Sequence, residues 1–179
     1  MSVPSTPSSE ESLDRLLASR AAAGDIEAFA ILVRRNLASL RSFLRRLGAS
    51  PDLADDLAQD AMVAAFERIA DYRGDGAFGG WVRRIAARRY LRTLRASRRF
   101  ESLDEAPEAY TPAPDTGRRL DLDAALVRLP EAQRLCVSLQ HGAGYTGAEI
   151  AKALSLPEGT VKSHIARGLE RLRQDLGTP

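Results

Sequence analysis

Hydrophobic residues recur at intervals of three and four positions along most of the chain, a spacing typical of amphipathic helices. Leu13, Leu16 and Leu17 begin the first such pattern. Asp25, a residue type suited to cap a helix N-terminus, precedes a second pattern that runs to Leu44. Because no segment shows the sustained alternation of a half-buried strand, the pattern predicts an all-α protein.

Glycine and proline mark the ends of the predicted helices. Gly48–Pro51 ends the second helix, and a third is predicted over Asp52–Ile69. The loop Tyr72–Gly80 contains four glycines and precedes a long helix that ends at about Ser97. The helical pattern returns over Leu120–Leu176, interrupted by further prolines and glycines.

The segment between these two helical parts has a different composition. Glu101–Gly117 contains three prolines and five acidic residues but no basic residue. These features predict a flexible linker between two small helical domains. The predicted divisions are a disordered leader (1–12), a first domain (13–99), an acidic, proline-containing linker (100–120) and a second domain (121–177).

Composition excludes several classes of protein. No uninterrupted apolar run is longer than that of Ala61–Phe66, far shorter than the ~20 residues that span a bilayer. Cys136 is the only cysteine, which precludes an intramolecular disulfide and favours a reducing cytosol. Met1–Ser12 lacks the order of basic and apolar residues found in a signal peptide. We therefore expect a cytoplasmic protein without membrane insertion.

The formal net charge of +2 conceals an uneven distribution of arginine. The segment Arg83–Arg99 contains eight arginines and no acidic residue. At 100° per residue, five of them lie on one stripe about 80° wide. This arginine stripe consists of Arg84, Arg88, Arg92, Arg95 and Arg99. Because like charges at this spacing repel, the stripe favours contact with a polyanion, although a solvated face is the alternative.

Aromatic residues precede this stripe. Tyr72, Phe78 and Trp81 lie close together in the sequence, around the glycine-containing loop. Unpaired bases stack on aromatic side chains, so this combination favours single-stranded nucleic acid. The alternative is that Phe78 and Trp81 belong to the hydrophobic core.

The most specific motif is a helix-turn-helix over Tyr145–Arg173. Ala151, Ser155 and Val161 occupy its small, turn and core positions, although Ser155 stands where glycine is more common. The polar face of its second helix lies opposite an apolar stripe and can enter a major groove. That face contains Thr160, Ser163, His164, Arg167 and Arg171. The alternative is an ordinary solvated helix face.

The third predicted helix carries acidic residues. Asp52, Asp56 and Gln59 share a face with Val63, and exposed apolar groups within a polar stripe suit a protein partner. Acidic residues in the first turn also stabilise a helix through its dipole, which is the alternative explanation.

Taken in order, these motifs resemble the bacterial sigma-70 family, specifically its extracytoplasmic-function (ECF) group. Asp56–Asp60 followed by Phe66 resembles the region 2 helix that contacts the polymerase β′ clamp helices. Tyr72–Asp75 and Phe78–Ala86 resemble the segment that opens and reads the −10 element. Leu129–Arg134 and Glu149–Ser163 resemble region 4, which binds the −35 element and the β flap.

The resemblance implies two helical domains that bind core RNA polymerase and promoter DNA, with no catalysis, cofactor or metal, and it also implies an anti-sigma partner. The implied polymerase contacts are Asp52, Asp56, Leu57, Gln59, Asp60 and Val63. The implied −10 contacts are Tyr72, Arg73, Phe78, Trp81, Arg84, Arg88, Arg92 and Arg95. The implied −35 contacts are Thr160, Lys162, Ser163, His164, Arg167 and Arg171.

Three other classes remain open at this point. Thr160–Ile165 also resembles the recognition helix of LuxR-type regulators, but the helical first domain argues against their receiver domain. An adaptor that binds only protein would not need the arginine stripe. An enzyme has little support, because His141 and His164 lie in no triad or metal-ligand arrangement. His164 stands where the family usually has arginine, and the Gly79–Gly80 pair is also unusual for the family.

Overall fold

The computed structural model describes residues 9–74, 76–97 and 118–177, which contain eight α-helices and no β-strand. The first domain comprises α1 (Ser9–Ala22), α2 (Ile26–Leu47), α3 (Pro51–Glu67) and α4 (Phe78–Ala96). The second domain comprises α5 (Arg118–Arg128), α6 (Glu131–Val137), α7 (Gly147–Leu154) and α8 (Glu158–Asp175). The prediction of an all-α fold with two helical domains is confirmed.

Local sequence signals define the helix ends in the first domain. The carboxylate of Asp25 accepts a hydrogen bond from the Ala28 N–H at 3.0 Å, which caps α2. Gly48 ends the same helix with φ 110°, a left-handed conformation that glycine adopts without strain. Ser50 then caps α3, whose first residue is Pro51.

The second domain has the geometry of a helix-turn-helix. Thr146 and Glu149 form a reciprocal capping box at the start of α7. Ser155 ends that helix with φ 55°, and it is the only non-glycine residue with positive φ among those described. A left-handed serine therefore makes the turn in the position where glycine is more common. Before α7, α6 continues into a π-helical turn over Ser138–Gly142.

The two domains pack directly against each other. Leu135, Leu139 and Ile150 of the second domain belong to the same buried hydrophobic cluster as Phe43 of α2 and Val82 of α4. A smaller cluster lies wholly within the second domain and comprises Ala125, Leu126, Leu129, Val137 and Leu172. The domains are therefore joined by a shared core as well as by the chain between them.

Three boundaries differ from the prediction. Helix α1 begins at Ser9, inside the predicted leader, and α5 begins at Arg118, inside the predicted linker. Gly79 and Gly80 lie in the first turn of α4 rather than in a loop. A Cβ at Gly79 would lie 2.6 Å from the Asn36 side chain, so glycine here allows α2 and α4 to approach closely. The rest of the leader, Asp75 and residues 98–117 of the linker segment lie outside the described residues.

Candidate protein and nucleic-acid interfaces

Helix α3 presents an acidic face to solvent. The side chains of this face are exposed: Asp52, Asp56, Gln59, Asp60 and Val63. Val63 is 59% exposed and the neighbouring Phe66 is 45% exposed, so apolar groups border the carboxylates. Leu57, predicted as a polymerase contact, instead lies in the core at 7% exposure. It belongs to the inward stripe of the helix, which favours a core role over the predicted polymerase contact.

The aromatic residues at the start of α4 form one cluster. The ring centroids of Tyr72 and Trp81 are 5.5 Å apart, and those of Phe78 and Trp81 are 5.7 Å apart. Phe78 is fully buried, which favours the core alternative over its predicted contact with DNA. Trp81 is only partly buried and packs against the core with one side. The Tyr72 hydroxyl donates to the Gly76 carbonyl at 2.6 Å, which holds the loop against the cluster.

A polar cavity of about 410 Å³ lies beside Trp81. Four guanidinium-bearing residues line it: Arg68, Arg73, Arg84 and Arg88. The cavity brings together residues of the predicted −10 set that are separated in the sequence. Arg68, which is not in the predicted −10 set, donates to Asp71 at 2.9 Å in the cavity wall. Its position directly after α3 and before the glycine-containing loop is the sequence feature that could have placed it near the predicted −10 residues.

Two members of the arginine stripe contact the second domain. Arg84 donates to the Gly144 carbonyl at 2.8 Å, forms an ion pair with Glu149 and lies 4.8 Å above the Tyr145 ring. Arg95 donates to the Ala153 carbonyl at 2.7 Å and also to the Lys152 carbonyl. The sequence predicted the stripe, but not that the second domain covers part of it.

The remaining described members of the stripe are more open. Arg88 and Arg92 are exposed on α4, while Arg99 lies outside the described residues. Arg88 neighbours Tyr145, whose pKa is raised by burial and partly lowered again by this guanidinium. The exposed part of the stripe therefore adjoins both the cavity and the second domain.

Helix α8 keeps most of its predicted polar face open. Lys162, Ser163 and Arg167 are exposed, and Thr160 and His164 are partly exposed. Arg171 is also exposed, but its guanidinium donates to the Gln133 side-chain carbonyl at 3.2 Å. This hydrogen bond joins α8 to α6 and fixes Arg171 against its own domain.

Among the residues that the structure describes, no group of three or more His, Cys, Asp or Glu could hold a metal ion. Cys136 is buried, and burial raises the pKa of its thiol to about 11. A search of the described helices also found none with the length and hydrophobicity needed to cross a membrane.

Both domains match known family descriptions. Residues 32–100 match Sigma-70 region 2, and residues 119–172 match Sigma-70, region 4. The two matches fall on the two helical domains in the predicted order. They give no support to the LuxR-type alternative, which places a different domain before its helix-turn-helix.

Individual relatives show the same similarity over nearly the whole chain. The ECF RNA polymerase sigma factor SigM of Mycobacterium tuberculosis (strain H37Rv) is 36% identical over 173 residues, which covers 94% of this chain and 86% of SigM. The ECF RNA polymerase sigma-E factor of Escherichia coli (strain K12) is 31% identical over 183 residues, covering 92% of this chain and 94% of that relative.

Two solved structures share the fold. CnrH, in complex with the cytosolic domain of CnrY, has 28% identity and a TM-score of 0.53, and the match covers 92% of this chain and 97% of CnrH. The sigma factor RpoE of Bartonella quintana, in complex with the anti-sigma factor NepR, has 24% identity and a TM-score of 0.54, with coverage of 84% and 97%. The chain belongs to the ECF group of the sigma-70 family of RNA polymerase sigma factors.

Proposed function

We propose that this sigma factor binds core RNA polymerase through α3, reads promoter −10 and −35 elements through α4 and α8, and promotes promoter opening. The observation that carries the proposal is that one chain combines an open acidic helix face with two basic helix faces. These faces lie in the two domains that match sigma regions 2 and 4. The chain has no chemistry of its own in this proposal and acts in the bacterial cytoplasm.

The polymerase contact is assigned to the acidic face of α3, without Leu57. The carboxylates of Asp52 and Asp56 and the amide of Gln59 can pair with basic and polar groups of a partner. The exposed side chain of Val63 adds an apolar contact on the same face of α3. Such a mixed surface suits a protein rather than a nucleic acid, because its charges would repel phosphates.

The −10 contact is assigned to the cavity beside Trp81. An unpaired base can stack on the accessible side of the indole, while buried Phe78 supports the indole from the core side. The guanidinium groups of Arg73 and Arg88 can bind the adjoining phosphates. The cavity is therefore the proposed site for an unpaired base of the −10 element.

The −35 contact is assigned to the open face of α8. Lys162 and Arg167 can bind phosphates, and Ser163 and His164 can hydrogen-bond to base edges in a major groove. Arg171 is assigned a structural role instead of a DNA contact, because its guanidinium already donates a hydrogen bond to Gln133 of α6.

The structural relatives also support a protein inhibitor as a partner. CnrH and RpoE were both solved in complex with another protein, and the partner of RpoE is described as an anti-sigma factor. We infer that this chain also has an anti-sigma partner, which would compete with polymerase for its surfaces.

Reconstitution with purified core RNA polymerase tests the proposal. The double variant Asp56→Ala/Val63→Ala removes one charged and one apolar group from the acidic face of α3, and we expect it to weaken core binding about 100-fold. Asp55→Asn is the matched control, because this carboxylate lies on the same helix but pairs with Arg41 within the domain. A wild-type chain that neither binds core polymerase nor directs initiation would contradict the proposed function.

A further inference from the structure

The cavity beside Trp81 holds more positive charge than one nucleotide of a DNA strand requires. Its charged lining consists of four arginines and a single aspartate: Arg68, Asp71, Arg73, Arg84 and Arg88. Its volume of about 410 Å³ lies within the ~300–1,000 Å³ of pockets that bind small ligands. A strand brings one negative charge with each nucleotide, so these guanidinium groups exceed what a single unpaired base and its phosphate can neutralise.

Arg68 is held in the cavity wall but keeps hydrogen-bond donors to spare. Its Nε donates to the Asp71 carboxylate at 2.9 Å, around the short 3₁₀ turn Ile69–Asp71, where side chains three positions apart lie over each other. A guanidinium has five N–H groups, so the terminal nitrogens of Arg68 can still bind an anion. The proposed promoter contacts leave Arg68 without a role in this cavity.

Arg73 and Arg88 supply charge that no carboxylate offsets. Neither forms an ion pair among the residues that the structure describes, whereas Arg84 pairs with Glu149 outside the cavity. Arg73 belongs to the glycine-containing loop and Arg88 to α4, so with Arg68 they reach one cavity from three parts of the chain. Because arginine binds phosphate oxygens in bidentate pairs, this arrangement suits adjacent phosphate groups of a single ligand.

Trp81 gives the cavity a flat apolar wall on which a base can stack. Its ring centroid lies 5.5 Å from that of Tyr72 and 5.7 Å from that of Phe78, and one side of the indole packs against the core. The indole is therefore held in position before a ligand arrives, which lowers the cost of ordering it on binding. Ala70 and Ile85 add apolar surface to the same cavity.

We propose that this cavity binds a free purine nucleoside diphosphate or triphosphate, whose base stacks on Trp81. Its phosphates lie among the guanidinium groups of Arg68, Arg73 and Arg88. Such a ligand combines in one molecule an aromatic ring system and adjacent phosphates, the two chemistries that the cavity offers to bind. Because the proposed function places an unpaired base of the −10 element in the same cavity, the ligand competes with promoter DNA. Only this competition rests on the proposed function.

Trp81 is the only tryptophan of the chain, so its fluorescence reports directly on this cavity. The full-length chain is titrated with ADP at physiological salt, and excitation at the red edge of tryptophan absorption selects the indole. We expect saturable quenching with a Kd of about 0.1 mM, which one stacked base and a few charged contacts can supply. Quenching that does not saturate, or that adenosine produces equally well, would overturn the proposal.

The number of phosphates distinguishes a free nucleotide from a nucleotide of a strand. AMP has the single phosphate that a strand supplies for each base, whereas ADP carries a second phosphate that can reach a further guanidinium group. We expect ADP to bind about tenfold more tightly than AMP, because the second phosphate gains about one charged hydrogen bond. Equal affinities for AMP and ADP would show a site for one phosphate only, and a polyphosphate ligand would be the wrong assignment.

Arg68→Ala removes the guanidinium that the promoter contacts do not use. We expect it to weaken ADP binding about tenfold, since the cavity wall loses one charged donor. Arg173→Ala is the matched control, because Arg173 forms an exposed ion pair with Glu170 at the same i,i+3 spacing and lies outside the cavity. Equal affinities of the two variants for ADP would contradict the assignment of the phosphates to this cavity.

Competition is measured with a fluorescein-labelled, 20-nucleotide single strand of mixed sequence. We expect saturating ADP to weaken binding of this strand several-fold, and an unchanged strand affinity would overturn the competition. The double variant Arg73→Ala/Arg88→Ala separates the inference from the proposed function. If it weakens strand binding while the wild-type chain shows no saturable ADP binding, only the nucleotide ligand is wrong. If it weakens ADP binding and leaves strand binding unchanged, the assignment of the −10 element to the cavity is wrong and the nucleotide site stands.

Discussion

Helices α4 and α8 both carry arginines on one face, yet the surroundings of these two faces differ. Lys162 and Arg167 of α8 are exposed to solvent, whereas Arg84 and Arg95 of α4 donate to oxygens of the second domain. The positions of the basic residues of α4 and α8 look alike when each helix is viewed in projection along its axis. The difference shows that two similar basic helix faces can have different surroundings, solvent for α8 and acceptor oxygens of the second domain for part of α4.

The largest expected effect comes from the exposed part of the α4 stripe. Arg88→Ala/Arg92→Ala removes two groups proposed to bind phosphates, each worth about 1.5 kcal/mol as a charged hydrogen bond, so we expect promoter opening to fall roughly 100-fold. Permanganate reactivity of unpaired thymines in the reconstituted holoenzyme measures this directly. Arg34→Ala is the control, because Arg34 is exposed on α2 and pairs with Glu27. Normal opening by the double variant would remove α4 from the DNA interface.

A smaller effect is expected from the open face of α8. Lys162→Ala/Arg167→Ala is predicted to weaken binding of the free chain to a 30-base-pair duplex about tenfold, and to reduce the salt slope by about 2. Fluorescence anisotropy across a salt series provides both values. In the free chain, this variant should lose more affinity than the α4 double variant, because the neighbouring α4 residues Arg84 and Arg95 are held by the second domain. The reverse order would show that α4 contributes more than α8 to DNA binding by the free chain.

The smallest effect concerns the contact between Arg84 and Glu149. The pKa of Glu149 lies below its ordinary value of 4.5, mainly because the Thr146 N–H donates to the carboxylate, with a further contribution from Arg84. The Thr146 part of this lowered pKa stabilises the start of α7, and only the Arg84 part stabilises the contact between the domains; both are present above pH 4.5 and are lost as the pH falls through the folded pKa. We expect a slightly larger radius of gyration at pH 4 than at pH 7. Glu149→Gln should lack that part of the change, and an identical change in both chains would exclude this carboxylate as its source.

Features that depend on short stretches of sequence were predictable. Asp25 caps α2, Thr146 and Glu149 form a capping box, and Ser155 makes the turn of the helix-turn-helix. Each depends on residues within a few positions of one another, where residue type limits the backbone directly. The resemblance to the sigma-70 family also predicted the order of the two domains along the chain.

Features that depend on distant contacts were not predictable from periodicity. The motifs predict Phe78 as a DNA contact and Leu57 as a polymerase contact. Whether either side chain is buried depends on how α2, α3 and α4 pack together. Similarly, Arg84 meets Gly144 across 60 positions of sequence, and no local pattern encodes that meeting. Helical projection identifies the residues that share a face, whereas tertiary packing decides whether that face meets solvent, core or another domain.

The most direct test of the contrast between α4 and α8 is the reactivity of individual arginines in the free chain. Phenylglyoxal modifies accessible guanidinium groups, and mass spectrometry of the digested protein gives the rate for each site. We predict that Arg167 reacts rapidly and that Arg84 reacts at least several-fold more slowly, because the Gly144 carbonyl and the Glu149 carboxylate hold its guanidinium. Equal rates for Arg84 and Arg167 in the wild-type chain would contradict the account.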